Sequence, residues 1–88
     1  MIERTFVIQN KLGLHARPAA LFVQTTHKFL SQVRVRKDGQ EVDGKSIMGI
    51  LTLAAESGSR VTIIADGPDE QEMINTLSGL FDKGFDEE

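Results

Sequence analysis

The chain has 88 residues, 40% hydrophobic and 26% charged, the balance of an ordinary folded domain that is neither disordered nor membrane-spanning. One domain over residues 1–88 is expected. Scaling gives it a folded surface of roughly 5,000 Å² and a radius of gyration near about 12 Å, so any chemistry must sit on the surface. The absence of cysteine removes disulfides, thiolate metal sites and thiol nucleophiles, and a net charge of −3 without Trp or Tyr argues against nucleic-acid binding.

The opening MIERTFVIQN lacks the apolar run of a signal peptide, and no stretch has the apolar length of a transmembrane helix. A cytoplasmic protein is expected. Ile2, Phe6 and Ile8 alternate with Glu3, Thr5 and Gln9, the pattern of a half-buried strand, and Asn10-Lys11-Leu12-Gly13 breaks it. From Ala16 the period becomes helical, with Ala19, Phe22, Val23, Thr26, Phe29 and Leu30 on one stripe. Pro18 is tolerated only in a first turn, which places the helix start close to residue 16 and leaves His15 just before it.

Val33 and Val35 alternate with Arg34 and Arg36 in a second strand. Asp38-Gly39 is a two-residue hairpin signal, and Gln40 to Asp43 forms the return strand. Ser46 is placed to cap a helix through IMGILTLAA, apolar at Ile47, Ile50, Leu51 and Ala54 and ended by Glu56-Ser57-Gly58-Ser59. A fourth strand spans about Arg60 to Ala65. Asp66-Gly67-Pro68 turns into a last helix that buries Met73, Ile74, Leu77, Leu80 and Phe81. Asp69, Glu70 and Glu72 suit the positive end of that helix, and Lys83-Gly84 suits its close. The order βαββαβα, four strands with three helices on one face, is that of an open-faced α/β sandwich, an α+β fold.

Residues 39–46 spell the GxxxxGK[ST] pattern of a phosphate-binding loop. The context contradicts the spelling. Gly39 belongs to the hairpin, Gln40–Asp43 reads as a strand, and Glu41 and Asp43 would repel phosphate. His15 carries more information. At a helix entrance its ring lies near unspent backbone N–H groups and the positive end of the dipole, a setting that favours neutral, nucleophilic imidazole and can hold an anionic phosphoryl group. Arg17 adds a fixed charge with a donor fork suited to phosphate oxygens. His27 lies off the buried stripe, and with no cysteine and two histidines twelve positions apart no metal site is expected. Met48 also projects off its stripe, where it can join Ile47 and Leu51 in an apolar docking patch.

The run Gly13-Leu14-His15-Ala16-Arg17-Pro18-Ala19 resembles the active-site signature of the HPr family, the histidine-containing phosphocarriers of the bacterial phosphotransferase system. Gly44-Lys45-Ser46-Ile47-Met48-Gly49-Ile50-Leu51 resembles the regulatory serine region of the same family, and the likeness covers essentially the whole chain. It implies a four-stranded antiparallel sheet under three helices and a carrier rather than an enzyme, with no cofactor and acting as a monomer. His15 would take a phosphoryl group on Nδ1 from phosphorylated Enzyme I and pass it to an enzyme IIA-type acceptor. Arg17 and the N–H groups of Ala16 and Arg17 would steady the phosphate. Ser46 would be the site used by HPr kinase/phosphorylase, with a transcriptional regulator as a further partner.

Leu12 departs from the small polar residue common in the family beside the active-site turn. The ending Leu80-Phe81-Asp82-Lys83-Gly84-Phe85-Asp86-Glu87-Glu88 resembles the nitrogen-regulatory branch, leaving sugar and nitrogen roles both open. Two readings compete with the carrier. One is a regulatory binding module acting through Ser46 alone, a type expected to lack the histidine. The other is a ferredoxin-like RNA-binding domain, opposed by the acidic balance and the missing strand aromatics. Charge is also split: residues 1–45 hold eight Lys/Arg and four Asp/Glu, residues 46–88 two and nine, a polarity that steers an acidic partner to the first half.

Overall fold

Alternation in the strands decides which face of the sheet becomes the core. A computed structural model, which describes residues 1–86, has β1 (Ile2–Val7), α1 (Ala16–Thr26), β2 (Gln32–Lys37), β3 (Gln40–Asp43), α2 (Ile47–Thr52), β4 (Arg60–Asp66), α3 (Glu70–Asp82) and a short 3-10 turn at Gly84–Asp86. The four strands form one sheet in the order β1-β4-β2-β3, antiparallel at every junction. Phe6 pairs with Val61, Val33 with Ala65 and Val35 with Ile63, and all six are buried toward the helices. The alternate positions form the open face. There Thr5 and Thr62 share a 2.9 Å hydroxyl contact, and Arg36 reaches Glu3 at 2.9 Å. The accessible surface is 4975 Å² and the radius of gyration 11.4 Å, close to the values expected from length.

The helices close the other side through Phe22, Ile50, Met73, Ile74, Leu77 and Phe81, each almost wholly buried. Phe81 is the hub. Its ring stacks on Phe6 at 4.6 Å between centroids and meets Phe22 and Phe85 edge-on at 6.3 and 5.0 Å. Phe85 reaches this cluster because Gly84 and Phe85 turn through left-handed backbone after α3, a last turn unread in the sequence. The hairpin is as expected: Asp38 and Gly39 both have positive φ, 51° and 83°, the two-residue turn that matches strand twist. Gly39 therefore sits in a turn and Gln40–Asp43 in a strand, so the GxxxxGK[ST] spelling builds no phosphate cradle.

Two helical stripes are shorter than expected. α1 ends at Thr26, and Leu30 is 81% exposed rather than in the core. The chain leaves the helix because the N–H groups of Leu30 and Ser31 donate to the Asp69 carboxylate, each at 2.9 Å, a contact the helical path could not reach. α2 stops at Thr52, and Ile47 and Ala54 face solvent while Leu53 and Ala55 are buried. Ala54 has φ +49°, so the chain turns at that point and the helical period no longer determines which residues point inward. Leu80 is half-buried beside the fully buried Met73, Ile74 and Leu77.

Candidate functional site

His15 stands where the helix ladder has not yet begun. It is the N-cap residue of α1, with extended backbone at φ −76° and ψ −168°, and its side chain does not cap the helix. The first intrahelical bond runs from the Ala19 N–H to the His15 carbonyl at 3.0 Å. The N–H groups of Ala16 and Arg17 therefore have no helical acceptor, and Pro18 offers no donor. Ala16 and Arg17 are both exposed, so these donors and the guanidinium share one solvent-facing turn with the half-buried imidazole.

The turn before His15 is held by contacts that the motif alone does not disclose. Gly13 donates its N–H to the Asn10 carbonyl at 3.1 Å, and the buried Asn10 returns a side-chain N–H to the Gly13 carbonyl at 2.6 Å. Leu14 donates its N–H to the Ala55 carbonyl at 2.9 Å. Gly13 has φ +68°, and a Cβ there would come within 2.2 Å of the Ala55 oxygen, so only glycine lets the two backbones meet. The segment after α2 thus becomes one wall of the site. Leu12, Leu14, His15, Leu51, Ala54, Ala55 and Glu56 line a groove of about 270 Å³. The expected helix through Ala55 would carry Ala54–Glu56 elsewhere; the wall exists because α2 stops at Thr52.

The other sequence candidates fall around the groove. Leu12 is 73% exposed on its rim, Leu51 is half-buried in it, and Met48 and Ile47 are 67% and 39% exposed on α2. Ser46 caps α2, its hydroxyl accepting the Gly49 N–H at 3.1 Å. The residues before it are tied to the end of α1. Thr26 donates its hydroxyl to the Gly44 carbonyl at 2.9 Å, the exposed His27 ring contacts the Lys45 carbonyl at 2.9 Å, and Lys45 donates to the Phe29 carbonyl at 2.9 Å. Those bonds were not legible in the sequence, since they join residues about eighteen apart. Among the described residues no group of His, Asp and Glu is arranged to hold a metal ion.

The charge split between the halves stands as counted, because the Lys and Arg ion pairs of the first half are internal to it. Arg34, Arg36 and Lys37 pair with Glu41, Glu3 and Asp38 of the same half. Arg4, Lys11, Arg17, Lys28 and Lys45 have no ion pair among the described residues, and Lys11 and Arg17 of this set flank the turn that contains His15.

A scan against family models matches residues 2–83 to the PTS-HPr family, described as the PTS HPr component phosphorylation site. Phosphocarrier protein HPr of Cupriavidus necator is 49% identical over 87 residues, 99% of this chain and 98% of that one. The HPr-like protein Crh of Halalkalibacterium halodurans is 47% identical over 83 residues, 94% and 99% of the two chains. The solved structure of HPr-C-His from Thermoanaerobacter tengcongensis superposes with a TM-score of 0.96 at 53% identity, covering 100% and 99%. Fold and matches define the class, that of small phosphocarrier proteins rather than enzymes. The chain belongs to the HPr family.

Proposed function

We propose that the chain, a single domain over residues 1–88, is a phosphocarrier of the phosphoenolpyruvate-dependent phosphotransferase system, with His15 as its phosphorylated residue. The observation that carries this reading is the exposed first turn of α1, where an imidazole at the N-cap stands beside two N–H groups without helical acceptors and the Arg17 guanidinium. Nδ1 of His15 forms a bond to phosphorus as the bond to the phosphohistidine of Enzyme I breaks. Ala16 N–H, Arg17 N–H and the Arg17 side chain hold the phosphoryl oxygens through charge-assisted bonds. Transfer to a histidine of an enzyme IIA-type acceptor repeats the exchange in the forward direction.

Ile47, Met48 and Leu51 form the apolar docking patch for these partners, continued across the groove by Leu12. Where other members of the family carry a polar side chain, Leu12 gives the acceptor an apolar contact instead. The protein works in the cytoplasm as a monomer, without cofactor, metal or nucleic acid, and light scattering at the mass of one chain checks its assembly. Incubation with labelled phosphoenolpyruvate and Enzyme I adds one acid-labile, base-stable phosphoryl group, and His15→Ala abolishes it. Equal labelling of that variant would overturn the assignment. Its recipient, on the sugar or the nitrogen branch, is the enzyme IIA that drains the label.

Ser46 is the regulatory site, taking phosphate from ATP through HPr kinase/phosphorylase and then engaging a transcriptional regulator. Its position supports this, since negative charge is favourable at a helix start and the apolar patch begins at the next residue. A second reading is a regulatory binding module that acts through Ser46 without relaying, and the 47% identity to the HPr-like protein Crh, alongside the phosphocarriers, is what keeps it beside the first. The two are separated by Ser46→Ala. A relay keeps its labelling at His15 and loses about 1 kcal/mol of stability with the cap, whereas the module has no label to keep.

A further inference from the structure

A carrier that holds its phosphoryl group too firmly cannot hand it on, and the groove beside His15 is lined by one acidic residue. Glu56 lines the same cavity as the imidazole. Its backbone is fixed on two sides. Its N–H donates to the Ser59 hydroxyl at 3.1 Å and its carbonyl accepts the Ser59 N–H at 2.9 Å, while its Cα lies 2.9 Å from where a Cβ on Gly13 would stand. The residue is exposed and forms no ion pair among the described residues. A sphere of the groove's volume is about 8 Å across, a range over which charges at a protein surface still interact appreciably.

We propose that Glu56 raises the phosphoryl-transfer potential of phosphorylated His15, an inference that rests on the reading of His15 given above. Its charge repels the dianionic phosphoryl group before transfer and has no such group to repel afterwards. Arg17 and the helix N–H groups pull on the phosphoryl group and Glu56 pushes on it, so the bond is held and remains poised to break. In the transfer step the phosphorus–Nδ1 bond breaks with its electron pair left on the imidazole, which takes up a proton at Nε2. Phosphorus bonds to the incoming nucleophile, an acceptor imidazole or water, which releases a proton, and with water the product is inorganic phosphate. Glu56 touches neither the bond made nor the bond broken. It acts through space.

The test uses the full chain labelled at His15 by phosphoenolpyruvate and Enzyme I, freed of Enzyme I, with release of inorganic phosphate followed at neutral pH. At low ionic strength Glu56→Gln releases phosphate about two- to fivefold more slowly than the unaltered protein, and the difference shrinks at 0.5 M salt. Glu56→Asp stays close to the unaltered rate, and Glu56→Lys is slower than Gln. Equal or faster release from Glu56→Gln at low salt, with His15 labelled in both proteins, overturns the role of Glu56 alone. Absence of label on His15 in the unaltered protein overturns the phosphocarrier reading and this inference with it.

Discussion

Two residues with left-handed backbone, Gly13 before His15 and Ala54 in the opposite wall of its groove, differ in their chemistry. Gly13, at φ +68°, has the backbone freedom and the empty space its position demands, whereas Ala54 adopts φ +49° with a methyl group and faces solvent. Gly13→Ala is therefore expected to destabilise the protein by more than about 2 kcal/mol, because it adds both a strained φ and a clash with the Ala55 carbonyl. Urea denaturation measures the loss, and the rate of labelling at His15 should fall with it as the turn is pushed off its wall. At this scale the sequence was largely legible for His15, Arg17 and Ser46, since each is placed by a short-range signal: a proline in the first turn, or a hydroxyl before an apolar run. Glu56 was not, because its place beside His15 depends on a contact between segments more than forty residues apart.

At the scale of elements, Asp69 shows how one side chain sets where a helix ends and another begins. It occupies the N-cap position of α3 but makes no side-chain cap bond. Its carboxylate instead accepts from Ser31 and Leu30 beyond the end of α1. The Ser31 hydroxyl first, then the Leu30 N–H, holds the Asp69 carboxyl below its ordinary value of 3.8. A depressed value in the folded state means the contribution to stability is complete above the unfolded value and is lost as pH falls through the folded one. Stability should therefore decline below about pH 4, and Asp69→Asn should both weaken the protein at pH 7 and flatten that acid limb in thermal melts taken across pH. An unchanged pH profile would show that the carboxylate contributes nothing by its charge. The sequence placed Asp69 correctly at a helix start and assigned it to the helix dipole, because the competing donors lie 38 and 39 positions away.

At the scale of the molecule, stability converges on a few side chains. A domain of this size has a net stability on the order of 4–13 kcal/mol, so one hub can carry much of it. Phe81 contacts aromatic rings from β1, α1 and the final 3-10 turn, and Phe81→Ala is expected to cost about 3–5 kcal/mol as transfer energy is lost and a cavity opens. Chemical denaturation checks the figure, and a loss under about 1 kcal/mol would mean the cluster refills the space. The same compactness leaves the chemistry outside. With the helices and one sheet face used for the core, the imidazole, the guanidinium and the apolar patch remain where large partners can reach them.

The sequence by itself determined the element order, the inward faces of the strands, the hairpin turn, the entrance of α1 and the family, because periodicity, turn chemistry and capping act over a few residues. The likeness of the chain's ending to the nitrogen branch extends to Glu87 and Glu88, which lie outside the described residues. Only the tertiary structure decided where α1 and α2 stop, which wall His15 faces, and that Phe85 folds back beneath the last helix. Those outcomes depend on bonds from Asp69 and Ala55 to residues distant in the chain and on the close approach of Gly13 to the segment after α2. No local pattern ranks such contacts against the helical path they replace.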